Sequence, residues 1–155
     1  MNDKERTIYS RQITLPEVGL KGQEELEDTG ILIVGMGGLG CPVAHYLISS
    51  GIGYLTIMDP DKVELSNLSR QPLYTQGDVG NLKVETAKQV LSHMNPNAVI
   101  NAVAEELSNY KNIKYSKKLK WQFIKSQDMK SINQVCLLYT SDAADEGLGV
   151  DLGGR

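Results

Sequence analysis

Three glycines, an aspartate and three cations have the types and spacing to do chemistry: Gly35-x-Gly37-x-x-Gly40, Asp59, Arg11, Arg70 and Lys83. Glycines let a backbone turn sharply and approach a phosphate closely, and a helix opening just behind them presents free N–H groups to an anion. An acidic residue about 20 positions further along, at the tip of the next strand, accepts hydrogen bonds from ribose hydroxyls. Asp59 stands 19 residues after Gly40, which suits that role, although Asp59-Pro60-Asp61 is also good turn chemistry. Arg and Lys near a polyphosphate supply fixed charge, Arg as a planar fork that bonds phosphate in pairs. Taken singly, Arg11, Arg70 and Lys83 are no more than the solvated surface charge that most Lys and Arg are. The pattern indicates a nucleotide and leaves a dinucleotide and ATP both open.

Such residues work only if strands and helices carry them to one place. Ile31-Leu32-Ile33-Val34 is an apolar, mostly β-branched run that leads straight into the glycines, as a buried parallel strand would. Behind the loop, Leu39, Val43 and Leu47 recur on one helical face, Pro42 sits in the first turn where its missing N–H costs little, and Gly51-Ile52-Gly53 ends the helix. Tyr54–Met58 is a second buried strand that delivers Asp59 at its end. A third unit follows, with Val84, Ala87, Leu91 and Met94 on a helix stopped by Asn95-Pro96, then Ala98–Val103 as a strand. Upstream, residues 3 to 13 are broadly helical, Leu15–Gly19 breaks that pattern, and Gln23–Leu26 forms one or two turns. The alternation predicts an α/β fold, a Rossmann-like doubly wound parallel sheet with helices on both faces, truncated after about three strands.

At 155 residues the chain is long enough for one domain with a real core. A net charge of −3 gives no general reason to expect nucleic acid or an anionic membrane as partner, and no apolar run approaches the roughly 20 residues that span a bilayer. The polar start Met1–Arg6 predicts no secretory leader. Two cysteines, Cys41 and Cys136, with no C-x-x-C pair, predict neither a disulfide framework nor a zinc site, and the cytoplasm is the expected location. Cys41 at a helix start has two readings, a thiol activated by the helix N-terminus or a buried packing residue.

Four segments together carry a family resemblance: Tyr9-Ser10-Arg11-Gln12, Gly35–Pro42, Asp59-Pro60-Asp61-Lys62-Val63-Glu64-Leu65-Ser66-Asn67-Leu68-Ser69-Arg70-Gln71, and Asp78-Val79-Gly80-Asn81-Leu82-Lys83. Over residues 9 to 103 the chain resembles the E1-like adenylating enzymes of the HesA/MoeB/ThiF group. The resemblance implies a nucleotidyltransferase that binds MgATP and the Gly-Gly tail of a ubiquitin-like sulfur-carrier protein in molybdopterin or thiamin biosynthesis. The tail carboxylate attacks the α-phosphate, giving an acyl-adenylate and pyrophosphate. It further implies that Gly35, Gly37, Gly38 and Gly40 form the nucleotide loop, with Gly38 making a backbone contact, and that Asp59 holds the ribose. Ser66, Asn67, Arg70 and Lys83 would line the phosphates, and Arg11 would reach into the partner's active site in a homodimer. Arg11, Arg70 and Lys83 are the implied catalytic residues, acting by positioning and charge neutralisation.

Departures from the family pattern set further expectations. Relatives often carry Arg where Ile8 stands, and the T-D-N motif whose aspartate holds Mg²⁺ is absent; its place by spacing reads Ile124-Lys125-Ser126-Gln127-Asp128. The zinc cysteine pairs are absent as well. Residues 1–107 are therefore assigned to the N-terminal part of an E1-like ATP-binding domain. Residues 108–135 form an atypical basic segment, expected to be frame-shifted, and hold seven of the 16 basic residues between Asn109 and Lys130. Residues 136–155 are expected to be a non-native tail, since Cys136–Glu146 resembles a translated sequencing-library adaptor. A chain of this kind is expected to adenylate weakly. Two other classes stand beside the leading one: an NAD(P)-dependent oxidoreductase, and a non-catalytic nucleotide-binding or dimerising module.

Overall fold

The computed structural model describes residues 1–106 and, as backbone strands, 120–121 and 135–138. Its centre is β1 (Thr29–Val34), a strand whose four middle residues are all buried. Burial on both faces is what an unbroken apolar run requires, and it places β1 inside a parallel sheet. On one side β1 pairs with β2 (Tyr54–Met58), in register from Gly30 with Tyr54 to Val34 with Met58. β2 in turn pairs with β3 (Val99–Val103), from Tyr54 with Val99 to Met58 with Val103. All of these pairings are parallel, so each needs a helical crossover. Those crossovers are α4 (Gly40–Ser49) and α5 (Lys83–Met94). Three short N-terminal helices precede them: α1 (Asp3–Ile8), α2 (Ser10–Ile13) and α3 (Gly19–Glu27).

The opposite edge of β1 is shared by two short strands, β4 (Lys120–Trp121) beside Thr29 and Gly30, and β5 (Val135–Leu138) beside Ile31 to Val34. The three long strands are those expected from the sequence, and these two add to them. β5 takes in Cys136 to Leu138, at the front of the segment assigned to a tail. Asp128, and the rest of 107–155 outside β4 and β5, lie beyond the described residues.

The core lies between the sheet and its crossover helices, built from Ile31, Ile33, Leu55, Ile57 and Ile100 with Ala44, Ile48, Val84, Ala87 and Leu91. On α5 Val84, Ala87 and Leu91 are buried as its periodicity predicts, whereas Met94, the last residue of the helix, is exposed. On α4 the face differs from expectation. Cys41, Ala44 and Ile48 are buried, Val43 and Leu47 are partly buried beside them, and Leu39 is exposed. This helix is apolar nearly all round, so a period picks out no single stripe. Gly51 closes it in the left-handed region at φ +94°, where a side chain would strain. α3 runs longer than expected because its two glycines and three glutamates give little apolar period to read.

Candidate functional site

The C-terminal ends of β1 and β2 lie side by side, and the glycine turn and Asp59 follow directly from them. In an open parallel sheet this edge, next to the point where the strand order reverses, is where ligands bind. β1 has β2 on one side and β4 and β5 on the other, so the turn after Val34 sits at that point.

The turn itself is tightly built. Gly35 takes φ +93° and donates its N–H to the Met58 carbonyl at 2.7 Å, tying the loop to the end of β2. Gly40, the first residue of α4, approaches so closely that a Cβ there would overlap the Gly35 carbonyl. α4 opens without a side-chain cap, and Pro42 lies in its first turn as expected. That leaves the helix N-terminus dependent on other acceptors for its early N–H groups. The aliphatic stem of Arg70 covers Gly38, its Cγ and Cδ standing 3.5 Å from where a Cβ would be.

Asp59 is buried and holds the loop from beneath. Its Oδ2 accepts the Met36 N–H at 2.6 Å and its Oδ1 the Asp61 N–H at 2.8 Å. Each carboxylate oxygen has a second acceptor position, so bonding the turn and bonding a ribose are compatible in this geometry.

The 3₁₀ turn Leu65–Asn67 carries the next candidates. Asn67 is buried, and its Oδ1 accepts the Glu64 N–H at 3.1 Å while its Nδ2 faces the Ser66 hydroxyl at 3.4 Å. Ser66 is exposed and donates to Glu64 at 3.2 Å. Arg70 bonds the Ser66 carbonyl through Nη1 at 2.9 Å, which fixes the guanidinium beside the glycine turn. Lys83, first residue of α5, is only 4% exposed, and its Nζ lies 2.9 Å from Asp61 Oδ2. Arg11 is apart from this group: it is exposed on α2, which packs against α3.

Several participants carry no signal in the sequence. Asp61 pairs with a lysine 22 residues away, a contact that no local pattern announces. Tyr74 donates its hydroxyl to the Met36 carbonyl at 2.9 Å, and Cys41 adds its thiol to the same oxygen at 3.3 Å. Gln71, within the segment that carried the resemblance, is fully buried with neither amide atom partnered. Of the two readings of Cys41, the packing residue is right. Burial pushes its thiol up to about 11, above the usual range, where the helix N-terminus alone would lower it.

Cys41 is accordingly expected to resist thiol reagents at neutral pH until the chain unfolds, a difference peptide mapping after alkylation will read. The unfolded thiol releases its proton first, so this group's contribution to stability falls as pH rises from the ordinary thiol value through about 11.

Comparison with known proteins gives this arrangement its context. Residues 9–136 match the ThiF family. The molybdopterin-synthase adenylyltransferase of Escherichia coli K12 is 48% identical over 103 residues, which make up 66% of this chain and 41% of that protein. The sulfur carrier protein ThiS adenylyltransferase of the same strain is 44% identical over 108 residues, 70% of this chain and 43% of that one. Among solved structures, the E. coli tRNA N6-threonylcarbamoyladenosine dehydratase in complex with ATP superposes with a TM-score of 0.63 at 30% identity, covering 68% of this chain and 42% of that chain. The chain thus spans less than half the length of each of these relatives.

Proposed function

Because the chain belongs to the ThiF family, we propose that its glycine turn binds ATP and that its full-length parent adenylates a ubiquitin-like sulfur-carrier protein ending in Gly-Gly. In that reaction a carboxylate oxygen of the tail forms a bond to the α-phosphorus while the bond to the β-phosphate oxygen breaks. Pyrophosphate leaves, and an acyl-adenylate remains. The observation that supports the reading is a pair of cations: the Arg70 stem lies over Gly38, and Lys83 bonds Asp61, which is tied through Asp59 to the turn at Met36. Two fixed positive charges suit a triphosphate, and they act by placing charge where it develops.

The proposed roles are those that the family resemblance implies. The loop Gly35, Gly37, Gly38 and Gly40 cradles the phosphates, Asp59 takes the ribose, and Ser66, Asn67, Arg70 and Lys83 line the phosphate path. Arg11 stands exposed on α2, available to a second copy of the chain in a homodimer. A cytoplasmic location suits these substrates, and among the described residues no helix is long and apolar enough to cross a membrane. Mg²⁺ would accompany ATP, bound by its phosphates and one or two carboxylates; among the described residues no group of three or more His, Cys, Asp or Glu is placed to hold a metal. No step is assigned to a metal here. In this reading residues 1–107 are the nucleotide-binding part, 108–135 an atypical segment and 136–155 a non-native tail.

Calorimetric titration with ATP and with NAD tests the reading, followed by pyrophosphate exchange with a Gly-Gly-ending carrier. ATP is expected to bind and NAD not. Exchange is expected to be weak, since the sequence has no T-D-N motif. Preference for NAD would overturn the proposal in favour of an oxidoreductase. ATP binding with no exchange at all would favour a non-catalytic nucleotide-binding module.

A further inference from the structure

Met36, at the bend of the glycine turn, is held from both sides. It is fully buried, its N–H is taken by Asp59 at 2.6 Å, and its carbonyl accepts the Tyr74 hydroxyl at 2.9 Å and the Cys41 thiol at 3.3 Å. A carbonyl oxygen has two lone pairs, so Tyr74 and Cys41 together use its full capacity. In a trans peptide the C=O and the following N–H point in opposite directions, and the chain has no cis bond among the described residues. Anchoring the Met36 carbonyl on Tyr74 therefore aims the Gly37 N–H to the opposite side of the turn. No backbone hydrogen bond among the described residues uses that N–H. The Gly37 carbonyl is meanwhile fixed by the Cys41 N–H at 3.1 Å, so the peptide units on both sides of Gly37 are held.

From this we infer that Tyr74 is a positioning residue for the nucleotide loop: its hydroxyl, 38 residues away in sequence, sets the direction in which Gly37 offers its N–H to a phosphate oxygen. The inference rests on the loop binding ATP, as proposed above. Tyr74 itself is 5% exposed and lies beneath the loop, so it acts through Met36 and touches no ligand.

Tyr74→Phe removes that hydroxyl and little else. At a temperature where both proteins are folded, the variant is expected to bind ATP about 3- to 10-fold more weakly than the unaltered chain, the factor one neutral hydrogen bond carries. Leu91→Val, a core change about two turns along α5 from Lys83, is the control. It is expected to lower Tm at least as much and leave ATP affinity unchanged. Cys41→Ala, which removes the weaker donor, is expected to shift affinity the same way by a smaller factor, and it serves if Tyr74→Phe does not fold. Equal affinity in Tyr74→Phe and the unaltered chain overturns the inference, as does equal weakening by Leu91→Val.

Amide hydrogen exchange judges the same point without a ligand. The Met36 and Cys41 amides, bonded to Asp59 and to the Gly37 carbonyl, are expected to exchange faster in Tyr74→Phe while those of Leu32 and Ile57 keep their protection. Unchanged exchange in the loop overturns the inference. If the unaltered chain does not bind ATP, the proposed function fails, and the exchange result alone decides whether Tyr74 holds the loop.

Discussion

Gly40→Ala is expected to abolish measurable ATP binding and to cost the fold about 3 kcal/mol, the upper part of the range for forcing extra volume into a packed site. The reason is geometric rather than conformational, since Gly40 needs no positive φ. Its added methyl would overlap the Gly35 carbonyl, with the Gly35 carbonyl carbon at 2.9 Å and Ile33 Cγ2 at 3.7 Å. The obstacle is backbone, and that backbone has no room to retreat. Gly35 is tied by its N–H to Met58, and Met36 next to it is tied by Asp59, Tyr74 and Cys41. Admitting the methyl means moving α4 away from β1 or turning the Gly35 carbonyl, and either change dismantles the loop. Gly38→Ala is the contrast, because its methyl would meet only Arg70, the stem at 3.5 Å and the carbonyl oxygen at 3.7 Å, both ordinary contacts. Urea denaturation and ATP calorimetry on both variants check this; an unchanged urea midpoint and normal ATP binding in Gly40→Ala would sink the argument.

What the sequence made legible follows from where the physics is local. A parallel strand buried on both faces must be an unbroken apolar run, so Ile31–Val34 and Tyr54–Met58 stand out, and with them the glycine turn and Asp59 at their ends. Chain-breaking chemistry is local too, and Gly51 and Pro42 sit where the helix-end rules put them. The other half of the site is long-range. Nothing in the neighbourhood of Lys83 signals that its amine turns back to Asp61, and nothing near Tyr74 signals Met36. Both contacts exist only once α5 and the Leu65–Tyr74 segment are folded over the sheet edge. The same reason hides β4 and β5: two and four residues sharing one edge of β1 are too short to show an alternation. The α4 face was misread for the converse reason, since an all-apolar helix offers several stripes and only packing selects among them. Ser66, Asn67, Arg70 and Lys83 come together only through the resemblance; in the structure local bonds link the first three, through a 3₁₀ turn and a guanidinium on the Ser66 carbonyl, and Lys83 is held by its long-range ion pair with Asp61. Arg11 is the exception, on a helix whose contacts run to α3.

Lys83→Met is expected to weaken ATP binding by about 10- to 100-fold, the value of a charge-assisted contact to phosphate, while leaving the fold as stable as before or slightly more so. The two halves of that expectation come from the asymmetry of its ion pair. The Lys83 side chain is 5% exposed and that of Asp61 is 62% exposed. Burying an ammonium costs several kcal/mol of hydration, and a partner that is itself well solvated repays only part of it. Methionine fills a similar volume without that cost, and Asp61 returns to water it already meets. A residue kept in this unfavourable position needs a second reason, and charge at the phosphate path supplies one. Asp61→Ala makes the opposite stability change, because it leaves the buried ammonium unpaired, at a cost of about 1–3 kcal/mol after allowing for the exposed partner. Denaturation and ATP titration of the two variants side by side separate the roles. If Lys83→Met loses as much stability as Asp61→Ala and keeps full ATP affinity, the ammonium is a structural counter-ion and the phosphate assignment is wrong.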